Sequence, residues 1–425
     1  MPDPLLTRPA RGVGRRGIIA AAAALLPAAA HAAPVPVPAP PTGAEDLGGF
    51  LAAFMKRWEI PTASIAVARG GRLGYALARG SADLAGTTKA TPRHRFRIAS
   101  SSKPITAVAV MRLVEQKRLR LDDHPFVILA GFGPPAGGTV DPRLRTITVR
   151  HLLEHSGGFD STRTDPQFDA LRVAADAFGR PAPASPADLV GWMMGQRLAF
   201  DPGTKYLYSN FGYNVLGRVI EAVSGMPYAD FVAQEVMRPA GAGRIVLGRT
   251  RPRDRLADEV EYWDDPRAAT FYSVYADDPM PRTAPYGAFS MEAIDAHGGF
   301  VASPIDLTRF LNAVAGEGGT QLLAPATAAE MLARPDLAQY RGAAPYYALG
   351  WNVEPGRIVM AHNGALTWGT SSVIGRLPGG ITYAFCANRL PYDLGAYVPA
   401  MGEGIPAAVA RISQWPAEDL YPQAG

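Results

Sequence analysis

Strand-forming runs stand at the two ends of this chain, with helical signals between them, and that arrangement narrows the possible folds. Near the start, Ser64-Ile65-Ala66-Val67-Ala68, a Gly70-Gly71 turn and Leu73-Gly74-Tyr75-Ala76-Leu77 read as a β-hairpin. Far along the chain, Tyr347 to Trp351, Ile358 to Met360, Thr370 to Ile374 and Ile381 to Ala387 continue the pattern, turning at Pro378-Gly379-Gly380. Both groups most simply share one antiparallel sheet. Between them, Ser185-Pro186-Ala187-Asp188 and Ser303-Pro304-Ile305-Asp306 each place a capping Ser, a Pro in the first turn and an acidic third residue. Val215, Val219, Ile220 and Val223 share one helical face, and Pro227 starts the next element. Residues 240–298 lack periodicity and are rich in Asp, Arg, Tyr and Pro, as a functional loop or cover would be. The expected class is α+β. A sheet unit from 44–100 and 340–425 is flanked by helices, a mainly helical unit spans 101–339, and the active site lies between the two.

Composition removes several alternatives. Of 425 residues, 48% are hydrophobic and 19% charged, which excludes wholesale disorder. The single cysteine, Cys386, excludes an intrachain disulfide and a Cys-based metal cluster, and its apolar surroundings read as core. Arg8, Arg11, Arg15 and Arg16 precede an apolar stretch from Gly17 to Ala30, followed by the small residues of Ala30-His31-Ala32. Residues 1–32 therefore read as an export signal, with Arg15-Arg16 pointing to a twin-arginine route. The stretch is too short and alanine-rich for a permanent anchor, and no nearby cysteine offers lipid attachment. Residues 33–43, with five prolines, form a linker. Without residues 1–32, which hold four Arg and one Asp, 38 basic residues face 37 acidic ones, and no basic run remains. That balance excludes nucleic acid as partner.

Three short motifs carry chemistry. In Ser100-Ser101-Ser102-Lys103 at a helix start, positions i and i+3 share a face, so the Ser100 hydroxyl can meet the Lys103 amine. A desolvated, neutral amine can take that proton and create a nucleophile, and free N–H groups at the helix start favour an oxyanion. The bland alternative is a serine-rich cap with a surface lysine. In Tyr206-Leu207-Tyr208-Ser209-Asn210, Tyr208 and Asn210 alternate about Ser209 and point to one side, where a phenol can relay protons and an amide can hold a substrate carbonyl. The alternative there is a polar turn before a helix. In His362-Asn363-Gly364-Ala365, directly after the strand ending at Met360, Gly364 would admit a substrate backbone and Ala365 N–H would be a second oxyanion donor. His362 would orient the relay or meet a substrate carboxylate, or simply end a strand.

Taken together, Ser-x-x-Lys, Tyr-x-Asn and His-x-Gly resemble the motifs of the serine β-lactamase and penicillin-recognising superfamily, in its class C β-lactamase, DD-peptidase and esterase branch. Phe96-Arg97-Ile98-Ala99, Thr148 to Gly158 and Gly298 to Ser303 are similar to framework stretches of that branch, and the resemblance covers residues 44–410. It implies Ser100 as nucleophile, Lys103 and Tyr208 as acid/base pair, and Asn210 as substrate-carbonyl partner. His362, Asn363, Gly364 and Ala365 fall on the substrate and oxyanion strand. It implies no cofactor, and a small-molecule or short-peptide substrate. His362 and Asn363 depart from the Lys and hydroxyl residue of many β-lactamases there, which favours ester or D-amino-acid peptide cleavage over true class C-like β-lactamase action. Two readings of another class compete: a zinc metallopeptidase on His151, Glu154 and His155, which match His-x-x-Glu-His, and a catalytically inactive binding protein.

Overall fold

The computed structural model describes residues 44–263, 271–278, 280–342, 345–366 and 369–424. The expected export signal at 1–32 and linker at 33–43 lie outside the described residues. The strands that position the site are β1 (Ala63–Arg69), β2 (Arg72–Arg79), β3 (Phe96–Arg97), β4 (Val246–Leu247), β5 (Phe300–Ala302), β6 (Tyr346–Tyr347), β7 (Asn352–Glu354), β8 (Ile358–Leu366), β9 (Thr370–Leu377) and β10 (Ile381–Ala387). Seven of them form one sheet in the order β2-β1-β10-β9-β8-β7-β6, every pair antiparallel. The chain ends meet where β1 pairs with β10, from Ala63 opposite Ala387 to Arg69 opposite Ile381. The expected sheet is thus present.

Two strand expectations change. The expected strand Tyr347 to Trp351 is instead β6, a reversal and β7. Gly350 sits at φ +88° in that reversal, and a Cβ there would stand 2.5 Å from Ala107 Cβ, so both turn and packing require glycine. The strand expected to stop at Met360 runs on to Leu366, pairing with β9 from Met360 opposite Arg376 to Leu366 opposite Thr370. His362-Asn363-Gly364-Ala365 therefore lies on a strand rather than after one.

The helices that matter are α1 (Ala44–Arg57), α2 (Lys103–Glu115), α3 (Val149–Leu153), α4 (Pro186–Met194), α5 (Asn210–Ser224), α6 (Pro304–Ala315) and α7 (Ile405–Ala410). Both sheet faces are covered, so its strands are nearly continuous in apolar residues. One face, with Ile65, Val67, Tyr383 and Phe385, packs on Phe50 and Phe54 of α1 and Ile405 of α7. The other, with Ile374, Ala384 and Cys386, joins the core of α2, α5 and α6. Helix α6 falls in the span expected to be the helical unit, yet it packs directly on β1 and β10. Burial pushes the Cys386 thiol up, as expected of an inert core cysteine. The capping sequences act as read. Asp188 N–H donates to Ser185 Oγ (3.1 Å) at the start of α4, and Asp306 N–H to Ser303 Oγ (3.2 Å) at the start of α6.

Candidate active site

The segment bearing Ser100 is held before it reaches α2. β3 pairs with β5, and Ile98 N–H donates to Phe300 O at 3.0 Å. Ala99 then adopts φ +49°, a left-handed conformation that costs a non-glycine residue about 1–2 kcal/mol, and opens a 3₁₀ turn over Ala99–Ser102. Three serines follow, and packing separates their roles. Ser101 is fully buried with its Oγ 2.8 Å from Ser372 Oγ, and Ser102 Oγ, also buried, accepts from Phe300 N–H at 3.3 Å. Ser100 alone of the three is half-buried, and its hydroxyl meets the Lys103 amine.

Lys103 has no solvent exposure. Its Nζ lies 2.9 Å from Ser100 Oγ, 2.7 Å from Asn210 Oδ1 and 3.0 Å from His297 O. Burial holds the amine well below its ordinary range, and the charge of Asp165 opposes that only in part. A neutral amine has two N–H groups and one lone pair. Asn210 Oδ1 and His297 O are acceptors only and take the two N–H groups, so the lone pair faces the Ser100 hydroxyl. Tyr208 and Asn210 reach the same amine because Ser209, extended at φ −140° and ψ 120°, caps α5 and sends both neighbours to one side. The Tyr208 ring centroid lies 4.7 Å from Nζ. Burial pushes the phenol well up, while its hydrogen bond with Ser100 pulls the other way.

His362 is buried, and both ring nitrogens are engaged within the protein. Its Nδ1 lies 2.7 Å from Asn363 O and its Nε2 3.1 Å from the Tyr347 hydroxyl. The carbonyl can only accept, so Nδ1 carries the proton and Nε2 accepts from Tyr347. Burial and the nearby Lys103 amine push the imidazole down to about 3, so it is neutral near pH 7. A ring so held does not meet a substrate carboxylate as a cation. Gly364 also differs from expectation: the close approach is made by the protein itself. A Cβ at Gly364 would meet Ser372 Oγ at 2.6 Å and Ala99 Cβ at 3.0 Å, with Ile98 O closer still. Asn363 and Ala365 are half-buried along β8, and Asn363 lines a cavity with Arg357 and Glu403 on the side of the C-terminal helices.

The family model described as Beta-lactamase matches residues 49–399. The chain belongs to the beta-lactamase family. A Dichelobacter nodosus protein named for fimbrial assembly (FimD, serogroup D) is 34% identical over 182 residues, 43% of this chain and 41% of its own length. Penicillin-binding protein 4* of Bacillus subtilis (strain 168) is 29% identical over 203 residues, 47% of this chain and 41% of its own. The chain thus spans about two-fifths of the length of these curated relatives. The D-amino acid amidase of Ochrobactrum anthropi SV3 shares the fold, with a TM-score of 0.65 at 20% identity over 85% of this chain and 96% of that one.

Within this beta-lactamase-family fold, the zinc pattern dissolves. Helix α3 ends at Leu153, and His155 sits at φ +58°, so the two histidines do not share a helical face. His151 Nδ1 receives Thr148 N–H (3.2 Å), and His155 Nδ1 receives Ser209 N–H (3.2 Å). Among the described residues no group of three His, Cys, Asp or Glu is placed to hold a metal ion. Among the described residues of the 240–298 segment, the tyrosines are largely packed down. Tyr262 and Tyr286 flank the Arg97 guanidinium (4.3 and 5.6 Å), Tyr275 lies under Arg251 (4.2 Å), and Tyr272 points to solvent. Arg97 itself is buried against Glu259 (3.6 Å), donating to the carbonyls of Pro285, Arg249 and Thr250. It offers no cation to a substrate.

Two residues of the site carry no motif signal, and a third, His155, falls only in the zinc motif. His297 supplies the carbonyl that receives Lys103. His155 packs its ring against Tyr208, Tyr213 and Tyr347, with centroids at 4.3, 5.2 and 4.6 Å. Asp165, also buried, accepts from Asn210 Nδ2 at 2.6 Å. His155 lies within the framework stretch Thr148 to Gly158 quoted above, while nothing in the quoted motifs marks His297 or Asp165.

Proposed function

We propose that this chain is a serine hydrolase that cleaves an ester, amide or lactam through an acyl-Ser100 intermediate. The observation that carries it is the Lys103 amine, 2.9 Å from Ser100 Oγ, with two carbonyl acceptors taking its N–H groups. As Ser100 Oγ bonds to the substrate carbonyl carbon, its proton passes to the Lys103 lone pair. The oxyanion sits between the N–H groups of Ser100 and Ala365, each worth about 3–4 kcal/mol in a comparable site. A proton returns through Lys103 and Tyr208 to the leaving group as its bond to the acyl carbon breaks. Water then attacks the acyl carbon by the reverse route and frees Ser100. Asn210 serves as hydrogen-bond partner of the substrate carbonyl, and β8 from His362 to Ala365 as one wall of the cleft.

Short esters and D-amino-acid amides or peptides are the favoured substrates over β-lactams. Neither neutral His362 nor buried Arg97 offers a charge to a β-lactam carboxylate. The family and a relative named as penicillin-binding keep class C-like β-lactamase action as the second reading. The Arg-rich, alanine-rich start supports export to the periplasm or beyond. Intact-mass measurement with a fluorophosphonate or penicillin-type probe tests the reaction. One adduct is expected on the wild type and none on Ser100→Ala. An adduct that persists in Ser100→Ala refutes the assignment, and an unlabelled wild type returns the chain to the inactive binding proteins. Rates on p-nitrophenyl esters, D-amino-acid amides, a D-Ala-D-Ala peptide and nitrocefin then rank the substrates. Nitrocefin outpacing every ester and amide in kcat/KM would favour the second reading.

A further inference from the structure

Asp165 stands where a helix-capping side chain belongs, and it caps nothing. It precedes the short helix Pro166–Asp169, and its backbone carbonyl accepts from Phe168 N–H (2.9 Å) and Asp169 N–H (3.1 Å). An Asp at such a position ordinarily turns its carboxylate onto the free N–H groups of the first turn. Here it makes no capping bond, and Asp169 Oδ2 instead accepts Asp165 N–H at 3.0 Å. The freed carboxylate reaches away from its own helix to Asn210 Nδ2 at 2.6 Å. Its other oxygen, Oδ1, is buried and has no hydrogen-bond partner among the described residues. A buried, half-satisfied carboxylate is costly, and a neutral acceptor would hold the Asn210 amide without a charge.

What a carboxylate adds is that charge, one amide away from the base. Asn210 is oriented by both neighbours: Nδ2 toward Asp165 and Oδ1 toward Lys103 Nζ, in an unbroken series that ends on Ser100 Oγ. The charged or titratable groups around it are Lys103 from α2, Asp169 from its own short helix and Tyr208 from the strand-like approach to α5. The rings of His155 and His297 flank Lys103 and are held neutral by burial. We propose that Asp165 is a positioning residue of the Ser100 site: it fixes the Asn210 amide against Lys103, and its charge sets how readily the amine becomes a base. Burial, with Asp169 adding to it, pushes this carboxyl up to about 7, so its charge changes within the working pH range. An ionised Asp165 favours the ammonium form of Lys103; without that charge the amine is released at lower pH.

This inference rests on the acyl-Ser100 reading, and its experiment separates the two. The rate of fluorophosphonate labelling of the full chain, read by intact mass, is followed against pH for wild type, Ser100→Ala, Asp165→Asn and Asp165→Ala, with thermal unfolding as a check on folding. Asp165→Asn keeps an acceptor for Asn210 and removes the charge. Its plateau is expected within about threefold of wild type, with the rise of rate moved to lower pH. Asp165→Ala frees the amide, and its plateau is expected to fall roughly ten- to a hundredfold, as for a lost buried charge-assisted hydrogen bond. A purely structural role would change the plateau and leave the pH of the rise where it is. An Asp165→Asn profile that coincides with wild type, in a protein whose labelling disappears in Ser100→Ala, overturns the inference and leaves the acyl-Ser100 reading standing. Absence of Ser100-dependent labelling in the wild type overturns both. If Asp165→Ala does not fold, the Asp165→Asn profile alone decides.

Discussion

Replacing Gly364 by alanine separates two accounts of why the strand beside Ser100 carries a glycine. The added Cβ would lie 2.6 Å from Ser372 Oγ and 3.0 Å from Ala99 Cβ, and nearer still to Ile98 O. None of these atoms is free to yield. Ser372 Oγ donates to Ile98 O at 2.7 Å and pairs with Ser101 Oγ at 2.8 Å, while Ile98 is tied to β5 through Phe300 O at 3.0 Å. Ordinary contact distances therefore require the Ile98–Ser101 segment to lift from β8 by on the order of 1 Å, the scale at which misplacing a reacting group costs about a hundredfold in rate. Overpacking costs about 1–3 kcal/mol, and a lost buried hydrogen bond adds about 1 kcal/mol, so unfolding free energy should fall by roughly 2–4 kcal/mol.

Urea unfolding at pH 7 and the fluorophosphonate labelling rate of Gly364→Ala measure the two effects on one protein. Lower stability together with slower labelling, irrespective of probe size, is the expected result. If the glycine served only to admit a substrate backbone, stability would be untouched and KM would rise chiefly for long substrates. A variant with wild-type stability and wild-type labelling would show that the Ile98–Ala99 contact constrains nothing.

Lys103→Met should slow labelling of Ser100 by about a hundred- to ten-thousandfold, the range for loss of a positioned base, while urea unfolding shows no loss of stability. Ordinary turnover in the folded variant would remove Lys103 from the mechanism. Arg97→Met leaves the Glu259 carboxylate buried without its cation, and unfolding free energy should drop by about 3–5 kcal/mol; an unchanged midpoint contradicts the packing account. His362 takes up its proton near 3 when folded against 6.5 when free, so unfolding binds a proton across that window and stability rises with pH there. His362→Gln removes this site, and the slope of unfolding free energy between pH 4 and 6 should decrease by up to about 1.4 kcal/mol per pH unit. An unaltered slope would mean that His362 is not held neutral.

Much of this protein was legible one short window at a time. The hairpin at Gly70-Gly71, the turn at Pro378-Gly379-Gly380, the capped starts at Ser185 and Ser303 and the Ser100–Lys103 pairing depend on backbone geometry over a few residues, which side chains impose locally. Joining both chain ends in one sheet was also readable, because two sets of strand signals left no simpler arrangement than shared pairing. The extent of β8 was not. His362-Asn363-Gly364 has the composition of a strand end, and only its ladder to β9 keeps the chain extended to Leu366.

Tertiary structure alone decided which groups act together. Ser100, Ser101 and Ser102 are chemically alike. What separates them is that Ser372 and Phe300, some two hundred or more residues away, engage the second and third. Gly364 was readable as a place of close approach, but not that the approaching backbone is the one bearing Ser100. Asp165 and the His297 carbonyl gave no sign at all, because what brings them to the site is their place beside Asn210 and the Lys103 amine rather than residue type. The lowered affinity of that amine for its proton has the same origin. Desolvation is a property of everything packed around a group, and the stretches bearing Tyr208–Asn210 and His297 must both close over Lys103 before its burial exists.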